Sequence, residues 1–344
     1  MRFLLKRTLT MAEKKAAELL NSNGDAQIDQ LGIRQEITTL TTFTRKIIEQ
    51  KFFEFSIADY LSVDIGTGAW LQSIEQAREY YTGGSFFEGD INDHAGEGKI
   101  AETSAAVDVV KVPTQPWGKK VSHTLIQLKQ AQAGIISWDI VTAKIRGLKK
   151  NWDLGVQETA MLGHPTNKGI VGLLTSPDVN PVTNLIPVPL STMTQAQMQA
   201  FIAQVLVAYR QNNEGTAFPN KFVIPESDFL GLGNPFPGSV AQITMLEYLL
   251  KMFQTMTMNS NFKILPMKYC QAQYLKRRGE NVNRYALYND DFDTLRFGIP
   301  VDFNIIPGLV VDGLNYPQTA IGMYSGMLLN RPRELVYFDQ AVGS

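Results

Sequence analysis

Three carboxylates within four residues, Asp290, Asp291 and Asp293, with Arg296 just beyond them, are a concentrated group of side chains able to do chemistry. Carboxylates at that spacing can gather a cation, and an α+β enzyme with a site around these four residues is one reading of the chain. The bland alternative is an acid-rich turn, exposed and solvated. A second acidic stretch, Asp90-Ile91-Asn92-Asp93-His94, loosely resembles a calcium loop. It lacks the glycine at the sixth position and the glutamate at the twelfth, where Ala101 stands, so a solvated turn is the better reading.

The other signatures fail one by one. Gly98-Lys99 is followed by Ile100 rather than Ser or Thr, and no earlier glycine completes a phosphate-binding loop. Gly66-Thr67-Gly68 and Gly231-Leu232-Gly233 lack the third glycine of a dinucleotide turn. Gly322-Met323-Tyr324-Ser325-Gly326 is one residue out of register for a nucleophile elbow, so Ser325 reads as structural. His94, His123 and His164 have no metal-ligand spacing on one helix, and Lys276-Arg277-Arg278 reads as a solvated basic loop. No catalytic, cofactor or metal site can be assembled from these residues.

The elements that would position such groups fall in a definite order. Residues 1–51 read as an arm: Ala12, Ala16, Leu19 and Leu20 give one weak helical stripe, and Ile37, Leu40, Ile47 and Ile48 another. Neither stripe can be buried by the arm alone. Strand character from Ile57 to Val63 and from Trp70 to Tyr81 leads into a stretch with Gly83, Gly84, Gly89, Gly96 and Gly98, and resumes at Val107 through Gln127. A long two-stranded flap with a glycine-rich tip fits, and Phe86 and Phe87 at that tip are expected to pack on a neighbouring subunit. The clearest helix is predicted from the N-cap Ser137 to Leu162, ending at Gly163-His164-Pro165. Beyond it come a helix capped by Thr194, a strand at Lys221–Pro225, a helix from Ser239 to about Met256, a strand at Phe262–Met267, and strands from Asn283 to the end. The class is α+β.

Composition narrows the partners. Lys and Arg total 32 against 33 for Asp and Glu, a net charge of −1, which argues against a dedicated nucleic-acid binder. The lone cysteine, Cys270, excludes an internal disulfide framework and suits a reducing compartment. The longest uncharged stretch, Val179 to Tyr209, is broken by Pro181, Pro187 and Pro189, so no membrane span is expected. The apolar run after Met1-Arg2 is only three residues long, so no export signal and no removed leader are expected.

This order of elements resembles the major capsid proteins of tailed bacteriophages with the Hong Kong 97-type fold. The likeness rests on three motifs: Leu162-Gly163-His164 through Gly169-Ile170-Val171-Gly172-Leu173-Leu174 after the long helix; Pro219 to Pro225 followed by Phe229-Leu230; and Ile321 to Gly326 leading to Asn330-Arg331-Pro332 and Asp339. Thr175 stands where an Asn often closes the first motif. The resemblance implies an N-terminal arm (1–51), strands leading into the extended loop (52–81), the extended loop (82–118), and a peripheral domain with its spine helix (119–189). It implies an axial domain (190–300) and C-terminal strands (301–344) that return to the peripheral domain. It further implies no catalysis and no cofactor. The subunit would self-assemble as hexamers and pentamers into an icosahedral virion shell around double-stranded DNA, built in the bacterial host cytoplasm, with only weak non-specific DNA contact. Portal, scaffolding or decoration proteins are the implied partners, and an encapsulin-like compartment shell is the alternative within the fold.

Overall fold

The computed structural model describes residues 51–66, 69–82, 104–132, 140–237, 243–307 and 314–341. The expected arm up to residue 50, the loop tip with Phe86 and Phe87, the acidic stretch at 90–94, and the expected caps Ser137 and Ser239 lie outside them.

A short 3-10 turn at Ile57–Asp59 precedes β1 (Ser62–Ile65), where a strand from Ile57 is expected from the sequence. Leu61 N–H donates to the Ile57 carbonyl at 2.8 Å, so the local turn captures the first half of that apolar run. Next come β2 (Ser73–Thr82), the 21-residue β3 (Ser104–Thr124), α1 (Leu125–Gln132) and α2 (Ile140–Leu162). The strand expected to run to Gln127 stops at Thr124, whose hydroxyl accepts from the Gln127 N–H at 3.2 Å and caps α1. The two-residue β4 (Pro181–Val182) and α3 (Gln195–Asn212) follow, and Thr194 and Gln197 close a capping box on α3. β5 (Lys221–Pro225), α4 (Glu226–Gly231), α5 (Met245–Thr257), β6 (Lys263–Met267) and α6 (Ala272–Leu275) complete the middle of the chain. α5 begins at Met245 and not at the expected Ser239: Thr244 is extended, bridges Pro235 and caps the helix, its hydroxyl accepting from the Glu247 N–H. The rest is strand: β7 (Val282–Tyr288), β8 (Leu295–Ile299), β9 (Val301–Pro307), β10 (Asn315–Ser325), β11 (Met327–Leu329) and β12 (Leu335–Ala341).

Three sheets result, ordered β1-β8-β11, β2-β3-β10-β9 and β4-β12-β7-β5-β6. The five-stranded sheet is apolar on both faces, which is why β12 reads Leu335-Val336-Tyr337-Phe338 without alternation. Val336, Phe338, Tyr285, Leu287, Phe222 and Ile224 face α3 and α5. Leu335, Tyr337, Ala286, Tyr288 and Val223 face the other core, with Trp152, Val156 and Met161 of α2. The two cores therefore share one sheet as a wall. β12 lies in the interior of that sheet, between β4 and β7, beside the strands of the segment expected to form an axial domain.

α2 ends in a turn that folds back over it. Gly163 has φ +69°, and its N–H donates to the Thr159 carbonyl at 2.8 Å. The N–H groups of Leu173 and Leu174 then donate to the Ala160 and Met161 carbonyls at 2.9 Å, satisfying groups a helix end leaves open. That return requires glycine at 172, where a Cβ would lie 2.4 Å from the Gly163 nitrogen. Thr175 performs the closing role: its hydroxyl accepts from the Gly172 N–H and donates to the Leu162 carbonyl, both at 3.2 Å.

Candidate functional site

The four residues of the sequence-derived acidic site are dispersed among structural duties. Asp290 pairs with Lys221 at 2.5 Å, each side chain 11% exposed, and accepts from the Ser62 N–H and hydroxyl at 3.0 and 3.2 Å. It thus staples β1 to β5. The Asp291 carbonyl accepts from the Thr294 and Leu295 N–H groups, and the Asp293 carbonyl from the Asn330 amide at 3.1 Å. Arg296 donates to Gln76 at 2.8 Å and lies over the Phe292 ring. Among the described residues no three His, Cys, Asp or Glu side chains are grouped to hold a metal ion.

The remaining candidates are also embedded in the fold. Ser325 is buried, and its hydroxyl lies 3.2 and 2.9 Å from the carbonyl oxygens of Gly298 and Gly326, its acceptors. His164 Nδ1 accepts from the N–H groups of Thr166 and Asn167 at 3.2 and 2.9 Å, and burial together with the Arg278 charge pulls its pKa down. His123 is buried and stacks on Tyr316. Arg278 donates to the Gly163 carbonyl at 2.6 Å, so one member of the basic triplet holds the end of α2 rather than sitting in solvent.

The buried charges to which sequence reading gave no site role are clamps between elements. Asp228 accepts from the Leu190 N–H at 3.0 Å, from the Ser191 hydroxyl at 2.9 Å and from the Tyr285 hydroxyl. Glu334 accepts from Asn289 at 2.9 Å and Thr294 at 3.0 Å. Arg284 holds Asp339 and donates to the Leu174 carbonyl at 2.5 Å. Burial, the largest influence on Arg284, disfavours its charge, but the hydrogen bonds and charge of Asp339 outweigh it and the pKa stands above the ordinary value. Only a long-range pairing reveals such residues, and no local spacing signals them. Cys270 is fully buried and its thiol is pushed up by burial, which suits packing and not nucleophilic attack.

What remains for function is surface. β3 changes partner along its length: among the described residues Thr114–Thr124 pairs with β10, while Ser104–Pro113 pairs only with β2. From Glu79 to Tyr81 and from Ser104 to Val109 every residue of this ribbon is exposed, including Tyr80, Tyr81, Val107 and Val109. Sequence reading placed the sticky residues at Phe86 and Phe87, outside the described residues. The paired aromatics and valines beside the glycine-rich stretch carried the same signal. An isolated two-stranded ribbon is marginal in water, and exposed apolar side chains on both its strands call for a partner surface. Beside α2 lies an open groove of about 500 Å³ lined by Phe52, Phe53, Trp117, Trp152, Lys268 and Arg278. Lys268 caps it, 4.0 Å over the Phe53 ring. Glu158 and His164 also line it, with His164 Nδ1 engaged by the Thr166 and Asn167 N–H groups. No helix among the described residues is long and apolar enough to cross a membrane.

Residues 95–341 match the family model described as major capsid protein. Comparison with curated proteins finds no significant match. Among solved structures, the capsid of Myoviridae phage XM1 aligns with a TM-score of 0.70 at 12% identity, covering 89% of this chain and 100% of that one. The capsid of a native GTA particle aligns at 0.57 and 9% identity, covering 91% and 98%. Mycobacterium phage Ogopogo aligns at 0.53 and 10%, covering 91% and 99%. At these identities the likeness is one of fold, and the family match carries the kinship.

Proposed function

The chain belongs to the major capsid protein family, and on that premise we propose that its copies tile a closed icosahedral shell around double-stranded phage DNA. It is a structural subunit of the virion capsid rather than an enzyme, with the α+β fold of the Hong Kong 97 type. Hexamers and pentamers are the building units of this reading, since heterologous contacts that close on themselves form rings. Within each subunit, residues 1–51 act as an arm, 52–81 lead into an extended loop at 82–118, and 119–189 form a peripheral domain around the spine helix. Residues 190–300 form the axial domain and 301–344 close the subunit. Assembly takes place in the bacterial host cytoplasm, where portal, scaffolding or decoration proteins join.

The observation that carries this reading is the β2–β3 ribbon. Ten residue pairs extend from Ser73–Pro113 to Thr82–Ser104, and among the described residues no third strand pairs along them. At about 3.3 Å per residue, ten residues reach roughly 33 Å. A monomeric enzyme gains nothing from such an appendage, whereas a shell subunit uses it to overlap a neighbour. The test is electron microscopy and nuclease treatment of particles from infected or expressing cells. Megadalton shells that protect double-stranded DNA agree with the proposal. Small oligomers would overturn it, and shells holding protein cargo without DNA would transfer the chain to the encapsulin-like alternative.

A further inference from the structure

The groove beside α2 brings aromatic rings and poorly compensated cations together. Phe52 and Phe53 are 44% and 36% exposed, and Trp117 packs on Trp152 with 5.2 Å between ring centres. Lys268 stands among the rings of Phe53, Tyr269 and Tyr274, at 4.0, 4.9 and 5.7 Å. Burial pulls its pKa below the ordinary lysine value, although the charges of Glu158 and Glu226 act the other way. Arg278 gives Nη2 to the Gly163 carbonyl, and its Nε finds no hydrogen-bond partner among the described residues. Glu158 is the one carboxylate among the described residues that line the groove, and it lies 4.0 Å from Arg277 instead. An occupant suited to both features carries aromatic rings beside a carboxylate. A bare phosphate backbone would leave the rings in water, and a purely apolar segment would bury Lys268 without a counter-charge.

The sequence itself carries such a segment. Between β2 and β3, residues 83–103 hold Phe86-Phe87-Glu88, followed by Asp90, Asp93, Glu97 and Glu102, with Lys99 as the single cation, a net charge of −4. The groove of its own copy is out of its reach. Thr82 pairs with Ser104 at the outer end of the ribbon, and Trp117 lies thirteen residues back along β3, about 43 Å at 3.3 Å per residue. Glu88 is six residues past Thr82, which extended chain stretches to at most about 21 Å. Phe86, Phe87 and Glu88 therefore stop roughly 20 Å short of the groove on their own subunit.

We infer that the groove receives Phe86-Phe87-Glu88 of a second copy, the rings lying against Phe53 and Trp117 and the carboxylate meeting Lys268. The inference rests on the proposed shell function and names the receptor surface for the extended loop. Each subunit is then donor at its loop and acceptor at its groove, a heterologous contact that repeats from copy to copy until the ring closes. The rings supply the apolar burial, and the single carboxylate fixes the register by giving Lys268 its counter-charge.

Full-length chains with Ser85→Cys and Asn151→Cys, one beside the two phenylalanines and one on the rim of the groove, are assembled and treated with a short bismaleimide. Cys270 is fully buried and stays silent. A denaturing gel should show a ladder of linked subunits running past dimers. The control Ser85→Cys, Ser260→Cys, with its second thiol at an exposed site after α5, should give no such ladder. Shells without the ladder, or an equal ladder from the control, would overturn the inference and leave the shell function intact. Failure of the natural chain to form shells would overturn both. A synthetic peptide of residues 83–93, added to the dissociated natural chain and followed by tryptophan fluorescence, reads the same contact without assembly. Saturable binding is expected, at least about tenfold weaker once the peptide carries Phe86→Ser and Phe87→Ser. Lys268→Gln in the chain should flatten its salt dependence. No binding, or binding indifferent to the two Ser changes, would overturn the inference.

Discussion

Arg284 grips Asp339 with two parallel hydrogen bonds, Nε to Oδ1 at 2.8 Å and Nη2 to Oδ2 at 2.7 Å, both side chains almost wholly buried. The third arm of the guanidinium reaches the Leu174 carbonyl in the turn after α2. Two motifs 165 residues apart in the chain are thereby fastened to one side chain of β7. Glu280 also meets the guanidinium at 2.5 Å, and the Tyr337 ring lies 4.6 Å beneath it.

Breaking that pair from one side leaves a buried charge alone. Arg284→Met or Asp339→Leu should each cost about 3–5 kcal/mol of subunit stability, and the double variant should recover much of the loss. Urea melts of the dissociated subunit measure all three. Single variants as stable as the natural chain would show that the clamp is dispensable.

Glycines give predictions of opposite sign. A Cβ at Gly322 would come within 2.5 Å of the Trp152 ring, so Gly322→Ala should destabilise by about 1–3 kcal/mol. Gly147 sits in α2 with nothing within 4 Å of a built Cβ, so Gly147→Ala should stabilise by about 0.5–1 kcal/mol. Thermal melts run side by side decide both.

Buried phenols set an alkaline limit. Burial pushes Tyr60 and Tyr269 up to about 12, so the folded chain keeps protons that the unfolded chain releases near 10. Their contribution to stability is complete below the unfolded value and is lost as pH rises through the folded one. Denaturation midpoints should fall steadily from about pH 10, an ordinary tyrosine pKa, upward. Phenolate absorbance should lag behind that of a free tyrosine until the fold gives way. A midpoint flat across that window would contradict the assignment.

Replacing Tyr80, Tyr81, Val107 and Val109 together with Ser should leave the subunit's melt within about 0.5 kcal/mol of the natural chain, because all four are exposed. Particle yield by light scattering should drop sharply. Normal shells from this variant would mean that the ribbon's apolar residues are not assembly contacts.

Much of this fold could be read from local pattern. The Gly163 stop, the Thr194 cap and the buried strand at Lys221–Pro225 each carry their signal within a few residues. Ile57 did not: its apolar run suits a strand, but a 3-10 turn and the partnership of β1 with β8 decide it. β12 shows the same limit, since being interior to a sheet depends on β4 and β7, distant in the chain. The surfaces were least legible. Net charge concealed the excess of eight Lys or Arg over one Asp in residues 109–152, because acids elsewhere in the chain balance it in the sum. Asp290 misled in the other direction, for its neighbours in sequence suggested a cation site while Lys221 and Ser62 had already claimed its oxygens.

The interior position of β12 bears on how the subunit gives way. Without it the sheet between both cores has a gap between β4 and β7, and the two cores lose Leu335 and Tyr337 on one side and Val336 and Phe338 on the other. One strand is thus a hinge-pin common to both halves, so damage to it cannot be confined to either, and the halves are expected to melt in a single transition.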